Sequence, residues 1–176
     1  EGKNSTFTTI TTHQIMQRQE RCGWAVPNRP VVHHNERDLP VDPYFLGLLI
    51  GDGGLSGNAV YITSADQDIV DYCRRIAESF DLSLVERGKY TYQFTSKKNS
   101  FQGHNYNILR DILDSLGLRG LSKHKRIPEE YKYASASQRL ALLQGLMDAD
   151  GTCGMSGQAA FYSVCKELCE DVADVV

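Results

Sequence analysis

The apolar positions of this chain follow a pattern that occurs twice. Phe45, Leu46, Leu48, Leu49 and Ile50 form an apolar run that carries Gly47 and Gly51 four residues apart and stops at Asp52-Gly53. Leu143, Leu146 and Met147 carry Gly145 and Ala149 at the same spacing and stop at Asp150-Gly151. Residues at i and i+4 share a helical face, and small ones there let a second helix approach closely. Each helix then ends on a carboxylate, which the helix dipole disfavours at a C-terminus. An amphipathic helix with a glycine stop accounts for one copy. Two copies with matched small residues, acid and glycine need a further reason, and a bound cation is the obvious one.

The other elements follow from the same reading. Asp42-Pro43 is an N-cap followed by proline at the first helical position, opening a helix over 43–51. Residues 58–64 read as a strand paired with the short run after Gly54. Residues 66–80 place apolar side chains at 69, 70, 73, 76, 77 and 80, an amphipathic helix. Residues 82–85 and 89–96 alternate around Arg87-Gly88 as a hairpin. Its second arm sets Tyr90, Tyr92 and Phe94 on one face and Lys89, Thr91, Gln93 and Thr95 on the other. A helix over 106–116 completes an αββαββα order. Ser135-Ala136-Ser137 caps a second helix running to Ala149, answered by a strand over 159–164 and a helix over 166–176. Upstream, the β-branched run at 5–12 reads as a strand ending at His13, and 22–26 as another short strand before a linker to Pro40. The fold class is α+β, with a β-rich segment and linker at 1–41, a first repeat at 42–134 and a shorter second repeat at 135–176.

Composition narrows this only a little. The 176 residues are 41% hydrophobic and 23% charged, an ordinary globular balance. No stretch is long enough to span a bilayer, the start lacks a signal-peptide core, and no membrane partner is expected. There is no initiator Met, which points to a piece of a longer protein. Five cysteines (Cys22, Cys73, Cys153, Cys165, Cys169) without a C-x-x-C pair fit free thiols in a reducing, cytoplasmic compartment, with Cys165 and Cys169 as packing residues. A net charge of −3 argues mildly against nucleic acid. Its distribution argues the other way: nine Lys/Arg face three acids between Leu82 and Pro128, a local excess of six positive charges. His33-His34 invites a metal reading, but neighbours on an extended chain point opposite ways, so a polar linker is expected.

The paired motifs closely resemble the two signatures of the LAGLIDADG homing endonucleases. The resemblance implies pseudo-two-fold αββαββα repeats whose central helices pack together and whose terminal acids bind the divalent ions, here Mg²⁺, that cut double-stranded DNA. It carries over Asp52 and Asp150 as catalytic and metal-binding acids, with the backbone carbonyls of Gly51 and Ala149 as further metal ligands. Asp148 matches the inner acid of the motif, which the first copy replaces with Ile50. The segment Leu121-Ser122-Lys123-His124-Lys125-Arg126-Ile127-Pro128 resembles the Lys-x-Ile-Pro element of intein-borne members and makes Lys125 the catalytic lysine, with Lys123 and Arg126 as phosphate contacts. Residues 1–41 resemble the part of an intein splicing domain that runs into such an endonuclease. His13, preceded by Thr11 and Thr12, matches the histidine that assists the first acyl shift, although Ile10 stands where that motif usually has threonine. The chain has neither a Cys or Ser at position 1 nor a terminal His-Asn, so as given it is not expected to splice itself. Relative to the family, a second hairpin, closing helix and second lysine are missing from the second repeat.

Phosphodiester hydrolysis needs an activated water, neutralised phosphate charge and a stabilised leaving oxygen, which two carboxylates sharing Mg²⁺ can supply. The hairpin would enter the major groove as a β-ribbon, with Arg87, Lys89, Thr91, Gln93, Lys97 and Lys98 toward DNA. The expected protein is a monomeric, sequence-specific, intein-associated endonuclease, with host-protein exteins as covalent partners. Two alternatives stand beside it: a catalytically inactive LAGLIDADG DNA-binding protein, and an intein fragment whose main role is splicing.

Overall fold

The computed structural model describes residues 10–18, 32–97, 107–120, 124–155 and 157–176. Contacts divide the chain into two compact units, Glu1–Val31 and Val32–Val176. In the first, the described residues form a short helix, α1 (Thr12–Met16). This corrects the expected strand ending at His13. The Thr11 hydroxyl accepts the Gln14 N–H while the Gln14 amide oxygen accepts the Thr11 N–H, a capping box that offsets the β-propensity of the threonines. The rest of that strand, and the one expected over 22–26, lie outside the described residues.

The second unit runs α2 (Pro43–Asp52), β1 (Gly53–Gly54), β2 (Val60–Thr63), α3 (Gln67–Ser79), β3 (Leu82–Gly88), β4 (Thr91–Ser96), α4 (Ile108–Ser115), α5 (Glu129–Lys132), α6 (Ala136–Asp150), β5 (Gly151–Cys153), β6 (Ala159–Phe161) and α7 (Lys166–Val175). It is a mixed α+β architecture with small antiparallel sheets. The order helix–strand–strand–helix from α2 to α3 recurs from α6 to α7. Helix starts follow their caps: Asp42 Oδ1 accepts the Phe45 N–H at 3.0 Å ahead of Pro43, and Ser135 and Gln138 form a capping box on α6.

One sheet has the order β1-β2-β4-β3; the other is the pair β5-β6. β2 pairs β4 along Val60↔Phe94, Tyr61↔Gln93, Ile62↔Tyr92 and Thr63↔Thr91, joining the first strand pair to the hairpin. The hairpin turn falls later than the sequence suggests. β3 continues to Gly88, with an irregularity between Glu86 and Gly88, and Tyr90 occupies the turn at φ +65°. Tyr90 is therefore exposed at the tip instead of sharing the packed face of Tyr92 and Phe94.

The core lies between α2 and the elements around it. Phe45 to Ile50 is buried without a break, because α2 is covered on all sides. Phe45 meets Phe94 edge-to-face at 5.4 Å, fixing β4 on α2, while Leu142 and Leu146 of α6 pack on its other flank. The Tyr131 hydroxyl donates to the Val41 carbonyl at 2.8 Å and accepts the Val41 N–H at 3.1 Å, tying α5 to the entrance of α2.

Candidate functional site

The two motif helices cross through their small residues. A Cβ on Gly47 would lie 2.3 Å from the Leu142 carbonyl oxygen, and one on Gly51 would lie 2.3 Å from the Ala149 Cβ. Backbone contact this close needs glycine or alanine and brings the C-terminal ends of α2 and α6 together. Asp52 and Asp150, the last residues of the two helices, therefore meet at one place. Each is followed by a glycine that opens an antiparallel strand: Gly53 pairs with Ile62 and Gly151 with Phe161.

Lys125 is 74 residues from Gly51 in sequence but joins the same place, its Nζ donating to the Gly51 carbonyl at 2.5 Å. The three charged groups sense one another. Burial among the helix ends raises the Asp52 carboxyl above its ordinary pKa, the Asp150 charge raises it further, and Lys125 opposes both. Burial lowers the Lys125 amine, while Asp150 and Asp52 pull it back up.

Two carboxylates at the open end of a helix pair suit a magnesium ion, which typically takes one or two protein carboxylates and completes its shell with waters or phosphate oxygens. Among the described residues, no group of three or more His, Cys, Asp or Glu side chains converges, so an all-protein cage is not formed there. The residues fit an ion shared with substrate. The Gly51 carbonyl already accepts the Lys125 amine, so its free lone pair alone is left for a cation.

Of the residues assigned to DNA, Arg87 and Gln93 are linked, Arg87 Nε donating to Gln93 Oε1 at 2.8 Å. Lys89 is exposed at the turn with its amine 5.0 Å from the Tyr90 ring, and Lys97 is exposed at the end of β4. Thr91 and Gln93 are half-buried on the strand face opposite Tyr92 and Phe94. Arg126 is exposed but engaged, its Nη2 lying 3.4 Å from Asp171 Oδ1. Lys98 and Lys123 lie outside the described residues. His13 sits exposed on α1, with its Nε2 2.9 Å from the Gln17 amide nitrogen.

The sequence reading gave Asp148 and Asp42 no side-chain partner and did not single out Asp171. Asp148 Oδ2 accepts the Tyr44 hydroxyl at 2.7 Å, and Asp42 Oδ1 accepts the Tyr72 hydroxyl at 2.6 Å as well as capping α2. Burial and the neighbouring carboxylates push both phenols up, so they remain donors. Asp171 of α7 is 2% exposed and takes the Ile127 N–H at Oδ2, 2.9 Å, and the Lys132 amine at Oδ1. Its only sequence signal was a carboxylate three residues after Leu168 and four before Val175, on the apolar side of its helix.

Among the described residues no helix is long and apolar enough to cross a membrane. No protein-family model matches the chain. The chain is similar to a replicative DNA helicase, DnaB, of Mycobacterium intracellulare, being 31% identical over 154 residues that take in 85% of this chain but only 22% of the helicase.

Proposed function

We propose that this chain is the endonuclease portion of an intein, a LAGLIDADG-type enzyme that makes a site-specific, Mg²⁺-dependent double-strand break in DNA. The observation that carries this reading is the meeting of Asp52, Asp150 and Lys125 at the paired ends of α2 and α6. The mutual repulsion of the two acids, which Lys125 offsets only in part, costs the fold stability that a bound cation would restore. The DnaB similarity supports the intein setting. Such helicases commonly host inteins, and a match covering most of this chain but about a fifth of the helicase fits an inserted element.

In this reading Asp52 and Asp150 are the residues that would hold the metal. When bound, Mg²⁺ would supply charge neutralisation and a more acidic water. The Lys125 amine, held at the Gly51 carbonyl, orders solvent or stabilises phosphate charge beside the two acids. Arg87, Lys89, Thr91, Gln93 and Lys97 present polar and basic groups on and around one hairpin, the form of a β-ribbon reader of the major groove.

The DnaB similarity also favours a companion reading, in which the larger protein splices and His13 assists the first acyl shift. The test of the main reading is incubation of the chain with a randomised-target DNA pool, with and without Mg²⁺, beside Asp150→Asn. Metal-dependent breaks at one recurrent site, lost in the variant, are expected. Binding without breaks would instead favour an inactive DNA-binding relative.

A further inference from the structure

We propose that α7 is the positioning device for Lys125, acting through Asp171 and Cys165; this rests on the endonuclease reading given above. Among the described residues Lys125 lies just after His124 and ahead of α5, and its Nζ reaches the Gly51 carbonyl. Its backbone is gripped from α7 on both sides. The Cys165 Sγ, at the N-cap of α7, donates to the Lys125 carbonyl at 3.1 Å. Two residues further on, the Ile127 N–H donates to Asp171 Oδ2 at 2.9 Å. Both gripping residues are buried, Cys165 at 1% exposed and Asp171 at 2%.

Asp171 is more than a local tie. Lys132 donates to its Oδ1, and the Arg126 guanidinium reaches both its oxygens at 3.4 and 3.5 Å. Among the described residues its hydrogen-bond partners all lie between residues 126 and 132, the stretch that leads from Lys125 into α5. A buried carboxylate used only for packing could be replaced by an apolar side chain of similar volume at little cost. A carboxylate that holds one peptide N–H and two cations of a single segment fixes the path of that segment. With the carbonyl of residue 125 and the N–H of residue 127 both fixed, the backbone at 125 is held where the lysine side chain can reach the Gly51 carbonyl, its amine sitting there at 2.5 Å. The second copy of the helix–strand–strand–helix pattern thus contributes an acid, Asp150, and also the helix that aims the lysine.

The experiment compares the full chain with Asp171→Asn, Cys165→Ala and Cys165→Ser. The first readout is the rate of brief acetylation at each lysine by acetic anhydride, followed by mass spectrometry. Lys125 is expected to react several-fold faster in Asp171→Asn and Cys165→Ala and at close to the parent rate in Cys165→Ser, which keeps a donor. The exposed references Lys89 and Lys97, both on the hairpin away from α7, should not change. In the cleavage assay, kcat of the first two variants should fall by about tenfold to a hundredfold, as a small misplacement of a reacting group does, with KM and DNA affinity held. Lys125 reacting at the parent rate in both variants would overturn the inference, as would a parallel rise at the reference lysines, which reports general loosening. If the parent never cuts DNA, the endonuclease reading fails, while the acetylation rates still decide whether α7 places Lys125. Cys165→Ala keeps the test decisive should Asp171→Asn not fold.

Discussion

Gly145 lies so close to Tyr44 that a Cβ on the glycine would sit 2.1 Å from the Tyr44 carbonyl oxygen. The neighbour is backbone and cannot swing away, so any side chain there drives α6 off α2. Gly145→Ala is therefore expected to destabilise the fold by about 1–3 kcal/mol or more, despite the better helix propensity of alanine. Gly57→Ala, where a Cβ meets nothing within 4 Å, should be close to neutral. Urea denaturation of the two variants side by side checks this; equal midpoints would remove the close crossing.

Asp52→Asn should raise the thermal stability of the metal-free protein at neutral pH while abolishing cleavage. The folded carboxyl has a raised pKa, from burial first and Asp150 second. Below its unfolded value, Asp52 is protonated in both states and costs nothing. As pH rises from there through the raised folded value, the unfolded state ionises first and the fold loses stability. The gap in melting temperature between variant and parent should open across that window and persist to pH 7. Melting curves in chelator at pH 4 and pH 7 measure it.

Adding Mg²⁺ should reverse that order. An ion that binds only the folded parent stabilises it by about 2.7 kcal/mol when present at 100 times its Kd. The parent should melt higher on Mg²⁺ addition, and Asp52→Asn and Asp150→Asn should respond much less. An equal response in all three would place any magnesium binding elsewhere.

Asp171 titrates the opposite way. Burial alone would raise its carboxyl, but the Lys132 amine, the Ile127 N–H and the Arg126 guanidinium outweigh that and hold it below the ordinary value. Its contribution is present above the unfolded carboxylate pKa and is lost as pH falls through the lower folded one. Asp171→Asn, which leaves the partly buried Lys132 amine without its counter-charge, is expected to cost about 1–3 kcal/mol at pH 7. In acid titrations followed by circular dichroism, the parent should lose the excess it holds over the variant only at strongly acid pH.

If the hairpin tracks DNA phosphates, Lys97→Ala should weaken binding alike for all sequences and flatten the salt dependence of log K by about 0.9 per lost contact. Arg87→Ala, which also frees Gln93, should change sequence preference more than the salt slope. Binding measured at several salt concentrations separates the two; an unchanged slope in Lys97→Ala would take that lysine off the interface.

Much of this protein was legible in its chain because the signals were local. Asp42-Pro43 and Ser135 started helices where their side chains could cap them, the spacing from Ile69 to Phe80 marked α3, and Gly47, Gly51, Gly145 and Ala149 announced a close helix crossing. Local signals failed where two of them competed or where the deciding partner was distant. Thr11 carried both β-propensity and capping ability, and the capping hydrogen bond with Gln14 prevailed. Tyr90 alternates with Tyr92 and Phe94 in sequence, but the turn pulled it out of the ladder into a left-handed conformation. Tertiary structure alone decided that β2 pairs with β4, that Lys125 finds the Gly51 carbonyl 74 residues away, and that Asp171 holds the segment from Arg126 to Lys132. These are long-range contacts between polar groups, and no periodicity records which buried donor will meet which acceptor once the apolar faces have come together.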